Sequence, residues 1–343
     1  MVKIVIIASV LAGCASFEDP NIVVDLRVLA MSATVPEQIL DVDLMNPPPP
    51  ETLLAMLQPS MVCALVGDPG NARRLRWSMT VCPETDTDRC DDGDPQMVFG
   101  SGLADDPELS AVDFTQPTNC FVDGAVASQC MCGLVQPDSS LLDVLMTSLA
   151  NDSLAGFQGL DYAVVLRVGG ENADPSLDQY AQKALRVAAR LPANREPNNN
   201  PTIMQMQSQL PGQGPAKIGI GRCVDPAVNG DRLIVAPGTK VNLVPAETDG
   251  AREMYVIPTL DGGSETFTES LTYQWMANGG GISRGDTGGP KDAFGNDAPL
   301  DTDWTAPSAA DIKEPTDFTV WMIQRDERLG ANWLELCIHV NPS

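Results

Sequence analysis

The densest chemistry in the chain is carboxylate. Asp86, Asp88, Asp91, Asp92 and Asp94 crowd one stretch around Gly93. A calcium ion takes roughly six to eight oxygens, and alternating Asp with a Gly for the turn is how a short loop supplies them. These five are therefore the candidate metal ligands, with calcium the ion they suit. Cys90 occupies a ligand place and no Glu closes the loop, so solvated charge is the competing reading. A second stretch, Gly279 to Pro290, satisfies three patterns at once. Gly281-Ile-Ser283-Arg-Gly285 has the spacing of an exposed nucleophilic serine. Arg284-Gly-Asp286 is an adhesive tripeptide, and Asp286-Thr-Gly288 is a triplet that works as a pair sharing one proton. The serine reading requires a strand before Ser283 and a helix after it, and Asp-Thr-Gly-Gly-Pro starts a helix poorly. The second copy of the triplet is absent from the sequence. His339 is the single histidine, so any catalytic base must be that residue and multi-histidine metal sites are excluded. With no convergent nucleophile, base and orienting group, the chain reads as not an enzyme.

Composition sets the frame for these candidates. The 343 residues carry 21 Lys+Arg against 46 Asp+Glu, a net charge of −25, which argues against a nucleic-acid partner because a phosphate backbone calls for a basic surface. Aromatics make up 5%, while 29 Gly and 28 Pro suit many short strands and turns better than a helical bundle. At 43% hydrophobic the chain can bury a core, and its length suggests two domains.

The N-terminus carries a targeting pattern. Lys3 precedes an apolar run from Ile4 to Leu11, too short to span a bilayer core of about 30 Å. The run ends in Leu11-Ala12-Gly13-Cys14, which resembles the lipobox of bacterial lipoproteins. The resemblance implies a signal peptide over 1–13, lipidation of Cys14 and a tether over 14–21. Ala15, in place of Asp, is similar to the pattern sorted to the Gram-negative outer membrane. The partners expected are thus a membrane, held through N-terminal acyl chains, and a protein of the envelope.

Apart from Cys14, eight cysteines remain: Cys63, Cys82, Cys90, Cys120, Cys130, Cys132, Cys223 and Cys337. An even number in an exported chain implies up to four disulfides. Cys82 with Cys90, bracketing the acidic loop, is the first expected pair, and Cys223 with Cys337 the second. Cys130 and Cys132 are too close to bond each other comfortably and are left to choose among Cys63 and Cys120.

Along the chain, 22–31, 60–66 and 75–82 read as strands, Pro47 to Pro50 as an extended loop, and 83–138 as a Cys-rich, disulfide-tied insertion with little regular structure. Leu141, Leu142, Leu145, Met146 and Leu149 have helical spacing, giving one short helix. Residues 162–168 and 184–191 form a candidate hairpin. The Asn- and Pro-rich stretch 193–215 reads as a linker between domains over 22–192 and 216–343. In the second, strands run from Lys240, from Leu271 and through a hairpin around Asp326 to Gly330, with Leu334, Leu336, Ile338 and Val340 on one face. Tyr273-x-Trp275, Val320-x-Met322 and the closing strand to Val340 resemble PKD-type domains. Cys63 and Trp77, fourteen apart, look like an immunoglobulin B-strand Cys and C-strand Trp. The fold class expected is all-β, two tandem Ig-like/PKD-like antiparallel β-sandwiches. The function that follows is an outer-membrane lipoprotein displaying binding or spacer surfaces. Alternatives are an accessory subunit of an outer-membrane secretion, barrel or motility complex, and a calcium- or carbohydrate-binding module suggested by Trp275, Trp304, Trp321 and Trp333.

Overall fold

The computed structural model describes residues 19–342 apart from 44, 70–72, 105–120, 123–124, 127–130, 155, 222, 224–231 and 248–249. The fold is all-β, built of mainly antiparallel sandwiches, with two α-helices among the described residues, Pro50–Met56 and Ser139–Asn151. Its strands form four stacked layers. The outer layer of the first half is a five-stranded sheet in the order Glu37–Leu40, Gln179–Ala189, Leu160–Gly170, Leu75–Pro83, Met97–Ala104. Against it lies a three-stranded sheet, Arg27–Ala33, Ser60–Gly67 and Cys132–Val135. The second half pairs two five-stranded sheets. One runs Leu233–Val235, Ala331–Val340, Thr316–Arg325, Thr272–Ala277, Asp286–Gly288. The other runs Ala216–Lys217, Ile203–Gln209, Lys240–Glu247, Thr302–Thr305, Gly281–Ile282.

The inner layers are buried on both faces, which explains their sequences. In Ser60–Gly67 all eight residues are buried. Val62, Ala64 and Val66 pack into the first core, while Met61, Cys63 and Leu65 face the second half. In Thr316–Arg325, Val320 and Met322 enter the second core, and Trp321 and Ile323 turn toward the first half. A strand with two buried faces loses the polar alternation of a half-solvated one and reads as a continuous apolar run. Between the halves these side chains, with Val23, Leu29, Met276 and Trp333, make a third apolar cluster. The two sandwiches therefore share a core seam.

Several expectations change. The stretch 193–215 contains the strand Ile203–Gln209, paired antiparallel with Lys240–Glu247, and Arg195 and Asn198 within it are buried. Its Asn and Pro residues mark a route across the seam, since Asn side chains satisfy backbone groups there; Asn200 Nδ2 donates to Ala33 O at 2.7 Å. The stretch 83–138 holds four strands among the described residues: Met97–Ala104 and Cys132–Val135 join the sandwich sheets, and Phe121–Val122 pairs with Ala125–Val126. Pro50 is the first residue of a helix, where its missing N–H costs nothing, so only the prolines before it are extended. The second helix, Ser139–Asn151, is capped by Asp138, whose carboxylate accepts from Ser140 N and Leu141 N at 2.9 and 3.1 Å. The first strand begins at Arg27. Residues 21–23 instead join the second half: Ala277 N donates to Asn21 O at 2.9 Å and Val23 N to Ala277 O at 2.8 Å.

Candidate functional site

A convergence of charged side chains lies at the seam. Glu37, on the edge strand of the first sandwich, is 3% exposed. Its Oε1 accepts from Arg195 Nη2 at 2.9 Å and its Oε2 from Arg328 Nη2 at 2.7 Å and Asn198 N at 2.9 Å. Arg328 comes from the Asp326–Gly330 turn of the second sandwich, so one carboxylate holds both halves. That turn is built by Asp326, whose Oδ1 accepts from the amides of Arg328, Leu329 and Gly330, each at 2.8 Å. Arg328 also meets Glu269 at 3.4 Å and Glu253 at 3.6 Å and lies 4.8 Å above the Tyr255 ring. Lys183 of the first sandwich donates to Leu329 O.

The electrostatics follow from burial. Glu269 is crowded by the carboxylates of Asp326 and Glu253, and burial above all pushes its carboxyl up to about 7, against the pull of the Glu253 amide and Arg328. Burial draws the Lys183 ammonium down to about 8, offset in part by Asp326. Beside this knot a cleft of about 590 Å³ is lined by Glu247, Arg252, Glu269, Lys291 and Asp297. Its charges are paired across the wall, Arg252 with Glu247 at 2.8 Å and Lys291 with Asp297 at 3.2 Å. The arrangement binds one sandwich to the other. Neither Glu37 nor Arg328 was singled out from sequence; the signal available was a charge beside apolar runs, Glu37 before Ile39-Leu40 and Arg328 in a hairpin turn.

The residues singled out from sequence lie elsewhere. Asp86, Asp88, Asp91, Asp92 and Asp94 sit on a mostly exposed loop, and no three of them bring carboxylate oxygens within 4.8 Å of one another. The loop is organised otherwise: Thr85 Oγ1 donates to Thr87 O, Gln96 Nε2 to Asp91 O, and the Arg89 guanidinium stacks 4.2 Å from the Tyr180 ring centre. The group that does converge, Cys223, Asp317 and Cys337, contains a disulfide. Ser283 has a strand on each side, Gly281–Ile282 and Asp286–Gly288, so the strand-to-helix turn that would expose a nucleophile is not formed. Its Oγ accepts from Asp303 N at 2.9 Å, while His339, on a different sheet, is held by Asp317 at 2.6 Å. Arg284 pairs with Asp301 at 2.9 Å. Gly285 packs so tightly on Asn21 that an added Cβ would lie 2.0 Å from its Oδ1. Trp275, Trp304, Trp321 and Trp333 are at most 3% exposed, so they offer no ring to a sugar. Trp275 Nε1 donates to Thr287 Oγ1 at 2.8 Å and Trp304 Nε1 to Gly279 O at 2.9 Å.

Disulfides join Cys63 to Cys132, Cys82 to Cys90 and Cys223 to Cys337. Cys63 and Cys132 are direct partners on adjacent strands of one sheet, facing the seam, whereas Trp77 is in the opposite sheet and the first core. The immunoglobulin likeness of this pair is thus corrected: the bond does not cross the sandwich and does not pack on the tryptophan. Cys14, Cys120 and Cys130 lie outside the described residues.

No family model matches the chain, and no curated protein matches it. Among solved structures it is similar to red sea bream transglutaminase, at 8% identity and a TM-score of 0.23, over 92% of this chain and 32% of that one. It is also similar to the BSP domain of a biofilm-associated protein, at 10% identity and a TM-score of 0.22, over 91% and 58% of the two chains. A third is the zebrafish RET cadherin-like domains 1 to 4, at 10% identity and a TM-score of 0.15, over 54% and 34%. The chain spans less than two thirds of each. The expectation that the chain is not an enzyme is corrected by the first of these, itself an enzyme. At that TM-score the likeness assigns no transglutaminase activity either. Among the described residues no helix is long and apolar enough to cross a membrane.

Proposed function

We propose that the chain is a lipoprotein of the Gram-negative outer membrane, anchored through Cys14, whose coupled sandwiches form a stiff body presenting its loops to a protein partner. The observation that carries this reading is the seam. Domains joined by a linker alone swing freely; a buried apolar cluster and an ion network shared between them remove that freedom. A stiff body fixes how far from the lipid, and in what direction, its far loops stand. The anchor is tested by globomycin or by Cys14→Ala, expected to yield an unprocessed or soluble chain. Unchanged membrane fractionation sinks it.

A hairpin favours the reading as an accessory subunit of an envelope complex. Met254–Pro258 and Ser264–Thr268 pair with each other in a two-stranded sheet, with Met254 76% and Leu260 82% exposed. A two-stranded ribbon is marginal in water without a third element, and its edges can accept a partner strand. Cross-linking of the tagged chain in intact envelopes is expected to capture one stoichiometric protein partner, lost on Leu260→Lys.

A further inference from the structure

The two helices wall a hollow at the margin of the first core. Helix Pro50–Met56 has no buried residue, although Leu53 and Leu54 lie on it. Those leucines face Leu145, Met146 and Leu149 of helix Ser139–Asn151 across a space of about 190 Å³, floored by Leu40 and Val187 of the five-stranded sheet. Its lining is aliphatic. Such a space lacks the polar partners that fix water, and an engineered apolar cavity of about 150 Å³ holds benzene. An apolar group is what suits it.

The surroundings select which apolar group. The segments 40–57 and 138–160, which supply most of the lining, carry Asp41, Asp43, Glu51, Asp138, Asp143 and Asp152 and neither Lys nor Arg. Hydrogen bonds from the Asn46 side chain and the Met45 amide hold the Asp43 carboxyl below its usual range. The amides of Leu154 and Gly156 do the same for Asp152, so both are charged at neutral pH. On the sheet side Arg190 is committed to Asp41 and Arg186 to Asp161, each at 2.6 Å. A fatty acid or anionic lipid would bring its negative head among segments whose charges are carboxylates.

We propose that this hollow docks a partner protein's segment that inserts aliphatic side chains and carries Lys or Arg on their flanks. Apolar anchors set in a groove, with opposite charge at the rim, are a recurring way to recognise an amphipathic segment. The proposal specifies the partner in the presentation reading, yet it needs no membrane, so its failure is distinct from failure of the anchor.

The test is fluorescence anisotropy of the full-length chain with a labelled synthetic peptide of about sixteen residues, Leu at i, i+3, i+4 and i+7, flanked by lysines. Saturable binding at roughly micromolar concentrations is expected, weakening with salt, and at least about tenfold weaker when Glu replaces the lysines. Met146 is 48% exposed, so Met146→Lys is expected to leave thermal unfolding unchanged and to weaken the lysine peptide about tenfold. Glu51→Lys combined with Asp143→Lys should reverse the preference between the two peptides. No binding of the lysine peptide, equal binding of the glutamate peptide, or indifference to Met146→Lys would overturn the proposal. Sodium octanoate binding more tightly than the lysine peptide would assign the hollow to acyl chains and overturn it as well.

Discussion

The second sandwich closes two five-stranded sheets over Trp275, Trp304 and Tyr273, none more than 1% exposed, whereas the first covers a five-stranded sheet with a three-stranded one. Three strands span roughly 14 Å against roughly 24 Å for five. The smaller sheet is also shorter, with strands of 4 to 8 residues facing neighbours of up to 11. Part of the larger sheet is left over, and Leu141, Val144 and Leu145 of helix Ser139–Asn151 pack into that core. A cylinder laid on a twisted plane fits less closely than a second sheet does. The mismatch of layers is what produces the aliphatic hollow, while matched layers leave the second core filled by rings.

That contrast is breakable. Trp275→Ala empties a fully buried ring site in the second core and is expected to cost about 4 kcal/mol in urea unfolding. Leu145→Ala, beside the hollow, should cost about 2 kcal/mol; equal costs would mean that the two interiors are packed alike. Next in size is the seam. Arg328→Ala strands Glu37 and Glu269 without a cation from the second sandwich and is expected to cost about 3 kcal/mol, splitting one unfolding transition into two. A single transition would show that the apolar cluster alone couples the halves.

Glu269 gives a pH signature. Its carboxyl is raised above the ordinary 4.5 to about 7, so the folded state keeps a proton that the unfolded chain releases. Its contribution is fully present below about pH 4.5 and is lost as pH rises to about 7. Glu269→Gln, at a side chain 2% exposed, should therefore stabilise the protein by about 2 kcal/mol at pH 8 and leave it unchanged at pH 4. The smallest effect is expected at the mouth of the hollow, where Met146→Ala should change stability by less than about 0.5 kcal/mol.

Much of the strand plan was legible because alternation reports a half-buried face. Leu334, Leu336, Ile338 and Val340 share the second core or its margin. Residues 162–168 and 184–189 lie in antiparallel partners, the second strand ending two residues before the expected Leu191. The helix over Leu141 to Leu149 showed in its spacing. Ile203–Gln209 stayed hidden among Asn, Pro and Gly because next to the buried Met206 its following inward position is the polar Ser208, which breaks the apolar pattern. The site was much less legible. Glu37, Arg195 and Arg328 are far apart in sequence, and no local periodicity records that a strand end and two loops meet across a seam. Charged loops such as 86–94 drew attention by composition, and their side chains are mostly exposed.

The short run at residues 21–23 hydrogen-bonds to Ala277. It crosses to the far sandwich before the chain enters the near one. Tension drawn in through the leading end would thus be loaded onto the C-terminal module first, parallel to its strands. Nothing could peel the first strand away until that grip gave, so a load applied there reaches the near sheet last.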